Sequence, residues 1–272
     1  MTPCIVIPAR YGSTRFPGKP LALVAGVPLL QRVWALAVSV CGPESVVVAT
    51  DDPRIAAFCA TLGATCRMTP PDAPNGTARV HAALQALSPT ITHVLNLQGD
   101  AVLTPPWVLQ ALLNALESAP TPCVCTPAVR MSEESVATLR AAKAAGEVGG
   151  TTVVFDAQGR ALYFSKSVIP FVRPDAPSTG IYRHIGLYGY PREILNRWIA
   201  LPPGPLEKAE GLEQLRALEN GLPLQVVVVN YRGRSHIGLD SPEDARRAER
   251  LIHAEGELLP RYDGTARYVN PA

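Results

Sequence analysis

The run Cys4-Ile5-Val6-Ile7-Pro8-Ala9-Arg10-Tyr11-Gly12-Ser13-Thr14-Arg15-Phe16-Pro17-Gly18-Lys19-Pro20 changes character at its first proline. Cys4–Ile7 has the apolar composition of a short buried strand. From Pro8 to Pro20 the chain gathers three cations and two glycines with almost no apolar periodicity, so the strand empties directly into a basic, glycine-containing loop. Such a loop can wrap a triphosphate. Glycine lets the backbone approach phosphate oxygens, Arg10 and Arg15 offer forked donors, and Lys19 supplies a compact point charge. It is not a P-loop, because the spacing of a GxxxxGK[ST] motif is missing.

Outward from this run the chain alternates strands and helices. A helix is expected over about Pro28–Val40, then a β-branched strand at Ser45–Thr50, and Asp51-Asp52-Pro53 caps a helix through about Leu62. Further strands are expected at Ala64–Met68, His93–Leu97 and Val124–Arg130, with helices at Gly76–Leu87, Pro106–Glu117 and Ser135–Ala145. The strand at His93–Leu97 ends in Gln98-Gly99-Asp100, so Asp100 stands at a strand's carboxyl end, where open α/β sheets bind ligands. Thr151–Phe155, the turn Asp156-Ala157-Gln158-Gly159 and Ala161–Phe164 read as a hairpin that interrupts the alternation. Beyond it we expect a strand at Ile185–Tyr190, helices at Pro191–Ala200 and Leu206–Asn220, and a strand at Leu224–Val229. The last helix runs over Ser241–Ala254, with Ser241 as N-cap and Asp244 closing a capping box. The expectation is an α/β fold in one domain over residues 1–257, with an antiparallel insertion at about 148–190 and a tail at 258–272.

Composition sets limits on function. Of 272 residues 47% are hydrophobic and 18% charged, which is globular rather than disordered composition. A formal net charge of +2 supplies no broad cationic field for nucleic acid. The start of the sequence lacks a signal-peptide pattern, and no apolar stretch has the length of a membrane span, so a cytoplasmic protein without membrane or nucleic-acid partners is expected. Cys4, Cys41, Cys59, Cys66, Cys123 and Cys125 show no paired CxxC spacing and read as reduced structural residues.

The string PARYGSTRFPGKPL at positions 8–21 resembles the signature of sugar nucleotidyltransferases with a glycosyltransferase-A-like, Rossmann-type mixed sheet, in the form carried by the 3-deoxy-manno-octulosonate (Kdo) cytidylyltransferases. The resemblance extends from about Cys4 to Ile252. It includes Gln98-Gly99-Asp100 and Gly238-Leu239-Asp240-Ser241-Pro242-Glu243-Asp244. It also includes Tyr163-Phe164-Ser165-Lys166 with Ile169-Pro170, the stretch Arg183-His184-Ile185-Gly186-Leu187-Tyr188-Gly189-Tyr190, and Leu206–Arg216.

The resemblance implies CMP transfer from CTP to an acidic sugar with release of pyrophosphate, in a homodimer. It implies nucleotide contacts at Pro8, Ala9, Arg10, Gly12, Ser13, Arg15, Lys19, Asn75, Gly76, Thr77, Arg79 and Asp100, and acceptor contacts at Gln98, His184, Tyr188, Glu213 and Gln214. Asp100 and Asp240 are the implied magnesium ligands, in keeping with the preference of that hard cation for carboxylate oxygens. Arg10, Arg15 and Lys19 join them as the implied catalytic set. Two departures stand out: Ala101 replaces the acid of a usual Gln-Gly-Asp-Glu-Pro, and Ala78 replaces an acid between Thr77 and Arg79. They keep two alternatives open. One is a cytidylyltransferase for another acid, such as an amino-Kdo, a related sugar acid or a small phosphonate; the other is an inactive nucleotide-binding protein.

Overall fold

The computed structural model describes residues 2–12, 15–173, 175, 180–259, 261–262 and 268–269. In chain order the elements are β1 Pro3–Ala9, β2 Leu23–Val24, β3 Val27–Pro28, α1 Leu29–Cys41, β4 Val46–Thr50, α2 Pro53–Leu62, β5 Thr65–Met68, α3 Gly76–Gln85, β6 His93–Asn96 and α4 Pro106–Ser118. There follow β7 Val124–Arg130, α5 Glu133–Ala144, β8 Thr152–Phe155, β9 Ala161–Ser165, β10 Tyr182–His184, β11 Tyr188–Pro191, α6 Arg192–Ala200, α7 Pro205–Glu210, α8 Gln214–Glu219, β12 Leu224–Val228 and α9 Pro242–Glu255. The chain groups into two compact units, residues 1–113 with 231–272, and residues 114–230.

In the first unit four parallel strands lie in the order β5-β4-β1-β6. β1 is flanked on both sides, pairing Ile5 with Val46 and with Leu95, and Cys4 through Ile7 are essentially inaccessible. Burial on both faces is why this strand reads as a continuous apolar run rather than an alternating one. The chain moves outward from β1 to β4 and β5, then returns through α3 to β6 on the opposite side of β1. The direction of winding therefore reverses between β1 and β6, and the carboxyl ends of those two strands are the Ala9–Arg10 loop and Gln98-Gly99-Asp100. Asp52 caps α2 by accepting from the Arg54 N–H at 2.9 Å, and the Ser241–Asp244 capping box opens α9.

A short β2–β3 hairpin, absent from the sequence reading, turns through Ala25 at φ 46° and Gly26 at φ 76°. Positive φ at an alanine is uncommon and must be held by its surroundings. Here the Ala25 N–H donates to Glu249 Oε1 at 2.8 Å, and the buried Arg32 donates to the Val24 and Ala25 carbonyls at 2.6 and 3.2 Å. Arg32 Nη1 also donates to both carboxylate oxygens of Glu257, at 3.1 and 2.9 Å. In the tail, Arg261–Tyr262 pairs antiparallel with Tyr268–Val269.

The second unit is built on β7, which pairs parallel with β12 and antiparallel with β10 and β11. β10, β8 and β9 continue as an antiparallel meander, so the α/β class with an antiparallel insertion is the class observed. Two sequence expectations are corrected here. The strand expected at Ile185–Tyr190 begins only at Tyr188, as β11, and residues 185–187 lie outside the ladder between β10 and β11. The helix expected at Leu206–Asn220 is broken into α7 and α8 at Gly211, whose φ of 63° places it in the left-handed region that ends helices.

Candidate active site

A cavity of about 360 Å³ opens in the first unit at the point where the winding reverses, as expected for an open parallel sheet. Its lining includes Pro8, Ala9, Arg10, Arg15 and Lys19 from the basic loop, Asn75, Gly76 and Arg79 at the start of α3, Gln98 and Asp100 after β6, and Asp240 before α9. The loop residues reach it because Gly18, at φ 70°, turns the chain into the 3₁₀ turn Lys19–Leu21, with the Gly18 N–H donating to the Tyr11 carbonyl at 3.0 Å. The Tyr11 ring in turn lies under the Arg54 guanidinium, 3.4 Å from its centroid, while Arg54 forks onto Asp52 at 2.9 and 2.7 Å.

The charged groups converge on one cation. Lys19 Nζ donates to Asp100 Oδ2 at 2.8 Å and to the Leu239 carbonyl at 2.6 Å, and lies 3.8 Å from Asp240 Oδ1. Arg15 pairs with Asp240 Oδ2 at 3.1 Å on an exposed face, where the pair adds little stability. The Asp240 carboxylate thus faces the basic loop, and α9 is capped instead by Ser241 and Asp244. Three oxygens already cluster around an ammonium. Asp100 and Asp240 are carboxylates of the kind that hold magnesium together with phosphates and water, although among the described residues no group of three or more His, Cys, Asp or Glu is placed to hold a metal ion.

The helix start contributes a second anion-binding element. Asn75 caps α3 by accepting from the Ala78 N–H at 2.8 Å, and the amino end of this ten-residue helix borders the cavity, where its dipole favours negative charge. Gly76 sits close to its neighbours: a Cβ there would lie 3.0 Å from Gln98 Oε1 and 3.4 Å from Pro8 Cγ, so a side chain would press the Gln98 amide aside by a few tenths of an ångström. Arg79 is buried, donating to Asp51 Oδ2 at 2.9 Å and to Thr69 Oγ1 at 2.7 Å, so it holds the start of α3 against the end of β4.

Of the nucleotide residues implied by resemblance, Pro8, Ala9, Arg10, Arg15, Lys19, Asn75, Gly76, Arg79 and Asp100 share this lining. Gly12 and Thr77 are not on it, Thr77 being buried beside Asn96 Nδ2 at 3.4 Å, and Ser13 lies outside the described residues. Gln98, implied for the acceptor, lines the same cavity and donates to Asn96 Oδ1 at 3.1 Å. The sequence reading missed Asp51 as the partner of Arg79. Its place at the carboxyl end of β4 was the available signal.

The other implied acceptor residues lie in the second unit. Tyr188 donates to Gln214 Oε1 at 3.0 Å, and burial, helped by the Glu213 charge, pushes the Tyr188 phenol well above its ordinary pKa. The phenol therefore remains a donor and fixes the Gln214 amide, whose buried Nε2 has no hydrogen-bond partner among the described residues. His184 is buried against Phe164 and Tyr188, with ring centroids 4.9 and 5.6 Å away. Its Nε2 is 2.8 Å from Thr126 Oγ1. Glu213 stands at the start of α8, which the break at Gly211 makes a separate helix.

A parallel sheet with a basic glycine loop and two aspartates at its reversal point has the form of the ligand crevice of open α/β folds, and the family comparison gives the chain its class. Residues 4–228 match the family model described as cytidylyltransferase, and the chain belongs to that family. The chain is 51% identical to a 3-deoxy-manno-octulosonate cytidylyltransferase of Maricaulis maris (strain MCS10) over 95% of its length and all of the relative's. It is 43% identical to the enzyme of the same name from Anaeromyxobacter dehalogenans (strain 2CP-1 / ATCC BAA-258), over 92% of this chain and 97% of that one. Among solved structures, a CMP:2-keto-3-deoxy-manno-octonic acid synthetase complexed with CTP superposes with a TM-score of 0.82 at 34% identity, covering 94% of this chain and 100% of the other.

Proposed function

We propose that this chain transfers CMP from CTP to a Kdo-type acidic sugar, forming the CMP-sugar and releasing pyrophosphate. The observation that carries the reading is the convergence of Arg15, Lys19, Asp100 and Asp240 on one cavity, in a chain so similar over its whole length to named Kdo cytidylyltransferases. Nucleotidyl transfer builds negative charge on the phosphoryl oxygens while the anomeric oxygen of the sugar bonds to the α-phosphorus and the bond to pyrophosphate breaks. Arg10, Arg15, Lys19 and the amino end of α3 offset that charge, and donors fixed in advance are the strongest single source of catalysis in such reactions. Asp100 and Asp240 would hold magnesium, which when bound neutralises phosphate charge. His184, Tyr188, Glu213 and Gln214 in the second unit are mixed donors and acceptors of the kind that a polyhydroxy acid requires, and Gln98 in the first unit is the remaining implied acceptor contact.

Retention of His184, Tyr188, Glu213 and Gln214 favours Kdo itself over a changed acceptor, and the alanines at positions 78 and 101 do not stand against it. Ala101 is 6% exposed and Ala78 half-buried, and neither lines the cavity. We further propose a cytoplasmic homodimer, supported by the strongly exposed apolar residues Phe171 and Val148 in the second unit and by the absence, among the described residues, of a helix fit to cross a membrane.

The test is pyrophosphate release from CTP and magnesium with Kdo, run beside Asp100→Asn. Release by the wild type with a loss on the order of 10²-fold or more in the variant is expected. A variant within a few-fold of wild type removes Asp100 from the reaction. Binding of CTP without turnover on any acid acceptor would favour a nucleotide-binding protein that lacks catalysis.

A further inference from the structure

The break between β10 and β11 has its cause in β7. Pro127 accepts from the Ile185 N–H at 3.0 Å but has no N–H to return, although antiparallel residues facing one another this way normally exchange both bonds. The chain leaves the ladder at residues 185–187, and the hydroxyl of Thr126, one residue before the proline, fills the gap. Thr126 Oγ1 lies 2.8 Å from the Leu187 carbonyl oxygen, 2.8 Å from His184 Nε2 and 3.4 Å from the Ile185 carbonyl oxygen.

A hydroxyl has one proton to give, and a carbonyl oxygen can only accept. If that proton went to His184, the 2.8 Å approach to Leu187 would set two acceptors against each other. The proton therefore goes to the Leu187 carbonyl, and the hydroxyl accepts from His184 Nε2–H. Ring packing does not make this choice. Phe164 and Tyr188 hold the plane of the imidazole, and a half-turn flip about Cβ–Cγ keeps that plane while exchanging carbon and nitrogen positions. Only a directional hydrogen bond distinguishes the two orientations.

We propose that Thr126 is a positioning residue that holds His184 as the Nε2–H tautomer, so that Nδ1, the lone-pair nitrogen of the neutral ring, is the atom with which His184 accepts a hydroxyl of the acidic sugar. The inference rests on the reading of His184 as an acceptor contact. Second partners of this kind commonly set the tautomer of a functional histidine.

The test uses the full chain labelled with [15N]histidine, in which long-range proton–nitrogen spectra show which ring nitrogen carries the proton and His184→Gln assigns the signal among the five histidines. The wild type is expected to show His184 protonated at Nε2. In Thr126→Val the ring is released to flip, the Nε2–H signal broadens into exchange with water, and KM for Kdo rises roughly tenfold while KM for CTP stays within about twofold. Thr126→Ser restores both. A wild-type Nδ1–H tautomer overturns the proposal, as does a Thr126→Val protein with wild-type KM for Kdo. A variant that loses kcat and both KM values together with its melting temperature shows a structural threonine only, and also overturns it. Wild-type protein that releases no pyrophosphate with Kdo removes the acceptor reading and the Nδ1 role with it, whereas the spectrum decides the Thr126–His184 tautomer on its own.

Discussion

Gly99→Ala tests whether the meeting of β1 and β6 sets the chemistry. A Cβ on residue 99 would lie 2.6 Å from the Pro8 carbonyl oxygen, about 0.8 Å inside the 3.4 Å at which ordinary contact begins. The neighbour is backbone, not the end of a flexible side chain, and it belongs to a strand fixed on both sides by β4 and β6. Either the Pro8–Ala9 segment or the Gln98–Asp100 turn must move by that distance. Overpacking of this kind costs about 1–3 kcal/mol, which for a chain of this size lowers the melting temperature by roughly 2–10 °C. Because Asp100 follows directly, a displacement approaching 1 Å should reduce kcat/KM by roughly 10–100-fold, well beyond the stability loss. Calorimetry and pyrophosphate release measure the two effects separately. A Gly99→Ala protein that melts within about 1 °C of wild type and turns over within about twofold would refute the argument that this close approach positions the aspartate.

Arg32→Met should cost about 3 kcal/mol in denaturant unfolding, the low end for a broken buried ion pair because Glu257 remains partly solvated. Glu257 itself bears on acid stability. Burial alone would raise its carboxyl pKa, but the Leu259 N–H, Arg32 and the Leu258 N–H outweigh burial and hold it below the ordinary glutamate value. A carboxyl depressed on folding contributes stability that is complete above about pH 4.3 and lost as pH falls through the lower folded value, so Glu257→Gln should show a shallower fall in melting temperature with acidification in that window. Burial pushes the Cys4 thiol up to about 12, so native protein should resist alkylation at Cys4 at neutral pH, and Cys4→Ser should keep its turnover.

The elements that the sequence made legible are those whose signal is local. The apolar run Cys4–Ile7, the Ser241–Asp244 capping box and the Asp52-Pro53 helix start fall where the sequence placed them, because strand burial and helix caps are decided within a few residues. The basic loop was visible in its charges and glycines, but its chemical reading came from the resemblance of the whole string at positions 8–21. The two broken elements were misread for the same reason that the others succeeded. Ile185–Tyr190 has a strand's composition, but its first three residues leave the ladder opposite Pro127 of the neighbouring strand, nearly sixty positions earlier. Gly211 was visible in the sequence, yet the apolar spacing on either side of it suggested one continuous helix.

What the sequence determined by itself was the inventory: an α/β alternation, a basic glycine-containing loop, two aspartates after distant turns, and a set of polar residues of mixed hydrogen-bonding type. What only the tertiary structure decided was which of these face one another. Lys19, Asp100 and Asp240 are brought together at one cavity because β1 and β6 are neighbours across the reversal of the sheet and the residue before α9 returns to that edge. The pairing of Arg79 with Asp51, the closeness of Gly99 to Pro8, and the bond between His184 and Thr126 are likewise contacts between residues far apart in the chain. Local composition encodes the propensity of a segment, but a hydrogen bond or a steric limit between remote segments exists only once the folded backbone has fixed their separation.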